Sequence, residues 1–250
     1  MSYLRIRKSV YALTDQEILA IRSAFDIIFE NALADYLLFS DILENNGHAT
    51  ATDLNFLTWN RAFFLSFEDF LRSKNPDLFL PYWDYTSEEA IKNGMPALFS
   101  DPTYVVKEGG KEKANPLYRS TKQRFCTSRT NDNSDTTLLV EARRRRILAL
   151  DAKNYTSFNK RIWVMDATAH VWIGGTMTDV PIATLDPLFW FIHCNLDRYW
   201  WKFQQNKEMN TTIPDTVLQE ELTPFRNDEG KPLYGKDVLN TKILGYTYLR

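Results

Sequence analysis

The chain has 250 residues, with 30 Lys and Arg against 32 Asp and Glu and a formal net charge of −2. That balance gives no overall attraction to nucleic acid or to an anionic membrane surface, so neither is expected as a partner. Hydrophobic residues make up 44% and aromatics 14%, with seven Trp and sixteen Phe, enough for one large core in a single domain over 1–250 and for an aromatic-walled interior that suits an aromatic guest.

No apolar stretch follows Met1–Arg5, and no run approaches the roughly 18 apolar residues of a membrane span, so a soluble, unexported, cytoplasmic protein is expected. Cys126 and Cys194 lie far apart in dissimilar contexts. That spacing argues against a disulfide or a thiolate metal site and for a reducing compartment.

Thr14-Asp15-Gln16-Glu17 reads as a capping box before the periodic apolar residues Ile18, Ile21, Ala24, Phe25 and Ile28, predicting a helix over 15–31. A shorter helix is expected around Asp35–Leu43. Apolar residues at 56, 57, 59, 63, 64, 67, 70 and 71 predict a third helix, stopping before Asn75-Pro76. The stretch from Pro81 to about Asp135 reads as a long surface excursion with little regular structure.

Two more helices are expected at 136–151 and 155–172, with Gly174-Gly175 ending the second. The run Arg143–Arg146 reads as the solvated face of the first, with Glu141 and Arg145 paired at i,i+4. Asp186-Pro187 reads as an N-cap followed by proline at the first helical position of a last long helix, to about Gln205. The remainder, divided by Pro214, Pro224 and Pro232, reads as loop-rich. The pattern predicts a mainly α fold, an irregular four-helix bundle with long loops whose sites face inward from the third, fifth and sixth helices.

Asp166 and His170 are four residues apart, so on a helix both project from one face and can share a metal. His193 lies inside the apolar stretch Leu188-Phe189-Trp190-Phe191-Ile192. Taken alone, a buried histidine there reads more readily as a hydrogen-bonded core residue than as a ligand.

The segment Phe189-Trp190-Phe191-Ile192-His193-Cys194-Asn195-Leu196-Asp197-Arg198-Tyr199-Trp200-Trp201 resembles the second copper motif of tyrosinases and molluscan haemocyanins, F-W-x-H-H-x-N-x-D-R-x-W. His193 falls on that motif's second histidine, and Ile192 replaces the first. His170-Val171-Trp172-Ile173-Gly174-Gly175 resembles the end of H-N-x-x-H-x-W-x-G-G, so His170 matches a copper ligand and Asp166 stands where the motif has its first histidine. Phe56-Leu57-Thr58-Trp59-Asn60-Arg61, followed by Phe67-Glu68, resembles F-L-P-W-H-R with its downstream F-E, with Asn60 at the ligand position. Ala51 stands at another ligand position, residues 31–46 contain no histidine, and His48 is out of register by three.

Further landmarks are Arg7-Lys8, Leu80–Tyr85, Leu185-Asp186-Pro187 and the closing Gly245-Tyr246-Thr247-Tyr248. The chain is identified from them as a degenerate member of the tyrosinase-like (type 3 copper) family, expected to lack the C-terminal shielding domain of some relatives. The resemblance implies two copper ions held by three imidazoles each, whereas this chain has three histidines in all. A dicopper centre is therefore not expected. The first site retains the Asn60 amide with Asp41 or His48 nearby, ligands poorly matched to Cu(I).

Asp166, His170 and His193 make a two-histidine, one-carboxylate set that suits one zinc or iron ion before copper. In the absence of metal, Asp166 would act as a general base or substrate anchor. Ala167 replaces the asparagine that the resemblance implies for positioning a phenol-deprotonating water, and residues 152–165 include no glutamate or aspartate to partner one.

Trp59, Phe63, Phe189 and Trp190 read as core or pocket wall. Asp197 with Arg198 reads as a structural ion pair, and so do Glu68 and Arg61. The expected function is that of a small-molecule enzyme acting on a phenolic or other aromatic metabolite by lyase, rearrangement, hydrolytic or mononuclear-metal chemistry, with Asp166, His170, His193 and Asn60 as site residues. The alternatives are a catalytically silent ligand- or partner-binding homologue and a copper-dependent phenol oxidase. Metal analysis discriminates among the three.

Overall fold

The computed structural model describes residues 4–48, 50, 52–106, 109–119 and 126–249. Six helices of 14 to 19 residues dominate it: α1 Asp15–Asn31, α2 Leu33–Asn46, α3 Phe56–Arg72, α4 Thr137–Leu150, α5 Tyr155–Ile173 and α6 Leu188–Gln204. The protein is mainly α, as its apolar periodicity predicts.

The capping box at α1 forms: Thr14 Oγ1 accepts from the Glu17 amide and the Glu17 carboxylate accepts from the Thr14 amide. α2 is longer than its expected 35–43 because no breaker separates it from α1. Ala32 alone is the hinge, ending one helix and preceding the next. α5 ends where Gly174-Gly175 predicts. Gly174 has φ +70° and a Cβ there would lie 1.9 Å from Thr130 Oγ1, so only glycine fits.

α6 begins at Leu188, one residue later than the Asp186 cap reading implies. Asp186 still accepts from the Leu188 amide at 2.8 Å, but its carboxylate is chiefly engaged by Arg129, whose Nε and Nη2 bond its two oxygens. Every residue of α6 except Arg198, Lys202 and Gln204 is buried, the mark of a helix running through a core. Trp190 stacks on Phe67 of α3 with ring centroids 3.6 Å apart, and Phe158 of α5 stacks on Phe203 at 4.1 Å. α3, α5 and α6 are thereby clamped by aromatic contacts worth more than their area alone.

The excursion after Pro81 is more ordered than expected. It carries short helices at Glu88–Asn93 and Ala97–Ser100 and a hairpin of β2 Thr103–Val105 with β3 Glu112–Ala114. Ser87 caps the first by accepting from the Ala90 amide, a serine-plus-glutamates signal that the Pro and Gly content obscured. Near the termini, β1 Arg5–Arg7 pairs in parallel with β6 Tyr246–Tyr248, and β4 Glu221–Arg226 forms a hairpin with β5 Pro232–Tyr234.

The expected Asp197–Arg198 and Glu68–Arg61 pairs do not form as such: adjacent Asp197 and Arg198 point about 100° apart on their helix, while Arg61 and Glu68, two turns apart on α3, each take a partner from another element. Asp197 receives Arg61 Nε on one oxygen, and Arg7 Nη1 (3.1 Å), Tyr246 OH (2.8 Å) and Tyr248 OH (2.6 Å) on the other. Glu68 holds Arg7 through two bonds of 3.0 Å, and Arg198 turns to Asp84 at 3.2 Å. All are structural. The Arg145–Glu141 pair does form, at 2.9 Å, and both cysteines are free. Among the described residues, no helix is long and apolar enough to cross a membrane.

Candidate metal and substrate site

α5 presents Asp166 and His170 one turn apart, and α6 brings His193 against them. His170 Nε2 lies 2.9 Å from His193 Nε2, and Asp166 Oδ2 lies 3.6 Å and 3.9 Å from these two nitrogens. Every separation is below about 4 Å, twice an ordinary metal–ligand bond of about 2.0–2.2 Å, so one first-row ion can touch all three.

Hydrogen bonding fixes the tautomers. The His170 Nδ1–H donates to the Met177 carbonyl at 2.6 Å, which leaves the Nε2 lone pair pointing at the cluster, the arrangement usual for a ligating imidazole. Without a metal, His193 donates its Nε2–H to that lone pair, and its own Nδ1 is then buried with no partner. Asp166 Oδ1 is buried and unpartnered as well. The three converging atoms, two imidazole nitrogens and one carboxylate oxygen, form a donor set that fits a single ion.

Burial pushes the Asp166 carboxyl up to about 6, with the neighbouring His170 opposing the rise. Burial, reinforced by His170, pushes His193 well down, so its imidazole is neutral at physiological pH. A neutral imidazole is the form that binds a metal.

The cluster forms one wall of a cavity of about 190 Å3 whose other walls include Leu43, Phe56, Trp163, Met177, Val180 and Phe189. Asn60, on α3, also faces it. Its amide nitrogen donates to the Phe56 carbonyl at 2.7 Å, so the amide oxygen is the atom left to meet a guest. His48 lines the cavity too, and sequence reading left it without a role. Among the four aromatics read as core or wall, Phe189 is wall, while Trp59, Phe63 and Trp190 belong to the core. Ala51 lies outside the described residues.

Sequence reading missed Trp163, Met177 and the pairing of His48 with Asp53. The Met177 contribution is a backbone carbonyl and carries no side-chain signal. Trp163, one turn before Ala167 on α5, follows from helical spacing once the inward face of Asp166 is known.

Residues 29–206 match the family model described as the common central domain of tyrosinase. The chain is 26% identical over 247 residues to the G-type hemocyanin of Enteroctopus dofleini, covering 89% of this chain and 8% of that one. It is 27% identical over 252 residues to hemocyanin 2 of Megathura crenulata, covering 89% of this chain. It spans only 7% to 8% of the length of these hemocyanins. The tyrosinase of Streptomyces lincolnensis is 23% identical over 260 residues, covering 90% of this chain and 93% of that one. The fold is similar to that of the Burkholderia thailandensis tyrosinase, with a TM-score of 0.82 at 19% identity over 99% of this chain and 74% of the other. A functional unit of octopus hemocyanin gives a TM-score of 0.77 at 23% identity, over 98% and 68%. With the family model matching well over half of its length, the chain belongs to the tyrosinase family.

Proposed function

We propose that this tyrosinase-family chain is a small-molecule enzyme that holds a phenol or other aromatic metabolite in the cavity beside a single Asp166/His170/His193 metal centre, and that its chemistry is not dicopper phenol oxidation. The observation that carries the reading is the convergence of three ligand atoms on the wall of an apolar cavity.

Two coppers do not fit the donor set. Three histidines occur in the chain, the α3 side contributes the Asn60 amide, and His48 Nδ1 is already taken by Asp53 at 2.6 Å. Asp166, His170 and His193 would hold one ion. When bound, zinc would supply Lewis-acid polarisation and iron one-electron redox chemistry.

The chain's own groups do the rest. Met177 keeps His170 in its ligating tautomer. Phe56, Trp163 and Phe189 exclude water and flank an aromatic ring, and the Asn60 amide oxygen accepts a hydrogen bond from a ring hydroxyl. Metal analysis of protein purified without added metal is expected to give one zinc or iron per chain, falling at least about tenfold in Asp166→Ala or His193→Ala. Two coppers per chain together with catechol formation from a monophenol would sink this reading.

The cavity also sets a charge preference. No Lys or Arg is among the described residues lining it, whereas Asp166 is. In chelator-treated protein, where no cation offsets Asp166, an aromatic acid would bring a second carboxylate close to the first, so calorimetric titration of the metal-free chain is expected to show tyramine or p-cresol binding at least about tenfold more tightly than 4-hydroxybenzoate. Equal affinities would place the ligand elsewhere.

A further inference from the structure

We infer that His48 and Asp53 form a proton-accepting dyad for a phenolic hydroxyl in this cavity, with His48 Nε2 as the accepting atom. The inference rests on the cavity being the substrate site.

The first support is geometric. α2 ends at Asn46, Gly47 follows as its cap, and His48 is delivered to the cavity wall, about a quarter exposed. Asp53 lies in the turns before α3. Its Oδ1 accepts from the Asn55 amide at 2.9 Å, which aims Oδ2 at His48 Nδ1, 2.6 Å away. A carboxylate can only accept there, so the His48 proton sits on Nδ1 and the lone pair is on Nε2. This carboxylate–imidazole order orients a histidine for proton transfer and stabilises the imidazolium that results.

The second support is the anchoring of the loop. The Asp53 carbonyl accepts from Asn159 Nδ2 at 2.7 Å and the Leu54 carbonyl from Tyr155 OH at 2.8 Å. Both donors lie on α5, the helix that carries Asp166 and His170. The dyad is thus tied to the frame of the metal-site wall.

The step is a plain proton transfer. The phenolic O–H bond breaks, its electron pair stays on oxygen, and the proton forms a new N–H bond at His48 Nε2, giving a phenolate and an imidazolium held by Asp53. Among the described residues, the other titratable groups facing the cavity are Asp166, His170 and His193.

The test uses 4-nitrophenol, whose phenolate has its own visible band, with 4-nitroanisole as a probe that has no proton to lose. Each is titrated against the full chain as purified, over a range of pH. In the parent, bound 4-nitrophenol should remain phenolate to a pH at least about one unit lower than in His48→Gln, the size expected when a cation forms beside it. Asp53→Asn should give an intermediate shift, and 4-nitroanisole should bind all three proteins alike. Because Asp166 is unchanged throughout, its repulsion of a phenolate cancels from the comparison.

A phenolate shift unchanged in His48→Gln overturns the dyad, as does a variant that loses only thermal stability. If His48→Gln fails to fold, Asp53→Asn decides: an unchanged shift overturns the inference and a reduced one supports it. Binding of neither probe by the parent overturns the substrate-site reading, and the dyad falls with it.

Discussion

Asp197→Ala is expected to remove about 3–5 kcal/mol of folding stability, the range for deleting one partner of a buried ion pair. The carboxylate is fully buried and shared by Arg61 and Arg7, with Tyr246 and Tyr248 donating to it. Its loss leaves Arg61, which lies 3.6 Å over the Trp200 ring, without its carboxylate, and leaves Arg7 with Glu68 as its remaining carboxylate beside the Tyr248 hydroxyl. The damage spreads beyond the local contact because the cluster joins α3, α6, β1 and β6. Asp197→Asn preserves volume and one acceptor, so it should cost less.

The network also has a definite pH signature. Burial alone raises the Asp197 and Glu68 carboxyls, but the Arg61 and Arg7 guanidiniums outweigh it for Asp197, and Arg7 does so for Glu68, holding both below their ordinary values. A folded-state pKa below the unfolded one means stability is present above the ordinary carboxylate range and is lost as pH falls through the folded pKa. Denaturant unfolding at neutral pH measures the loss. A cost for Asp197→Ala under about 1 kcal/mol would mean that the cluster does not hold the termini to the bundle.

That cluster marks where sequence reading stops. Helices such as α1 and α3 were legible because their apolar residues recur at helical spacing, and Asp166 with His170 was legible as an i,i+4 pair on one helix face. His193 was identified through its surrounding motif, since an imidazole in an apolar run reads more readily as core. What periodicity reports is the face a residue occupies, not its partner. Asp197 and Arg198 looked like a pair by adjacency, yet each is satisfied by a distant element, Arg7 and Arg61 for one and Asp84 for the other. The β1–β6 pairing joins Arg5 to Tyr246 across nearly the whole chain, and three-residue strands leave no alternation to detect. His48 was set aside because it missed the expected register by three. Its pairing with Asp53 depends on a loop conformation that composition does not encode.

Asp166→Asn is expected to stabilise the metal-free protein by up to about 3 kcal/mol at pH 7–8 while weakening metal binding. The Asp166 carboxyl is pushed from 3.8 up to about 6 because burial disfavours its charged form. A folded-state pKa above the unfolded one means the folded chain binds the extra proton, so the site is least costly below about pH 4. Stability then falls as pH rises from about 4 to about 6, and the full penalty persists above that. Two pH units correspond to about 3 kcal/mol. Asparagine removes the charge with little change of shape, so the burial penalty on the charged form goes with it. The comparison should be made with chelator-treated proteins, because a bound ion reverses the sign. At a hundred times its dissociation constant, metal adds about 2.7 kcal/mol to the parent and less to the variant, which has lost an anionic ligand. The melting temperatures of the two proteins should therefore approach or cross on adding zinc at pH 7.5, and converge below pH 4 without it. A metal-free variant that melts below the parent at pH 7.5 would show that the Asp166 carboxylate is already compensated within the chain, and the case for an ion at this site would lose its energetic basis.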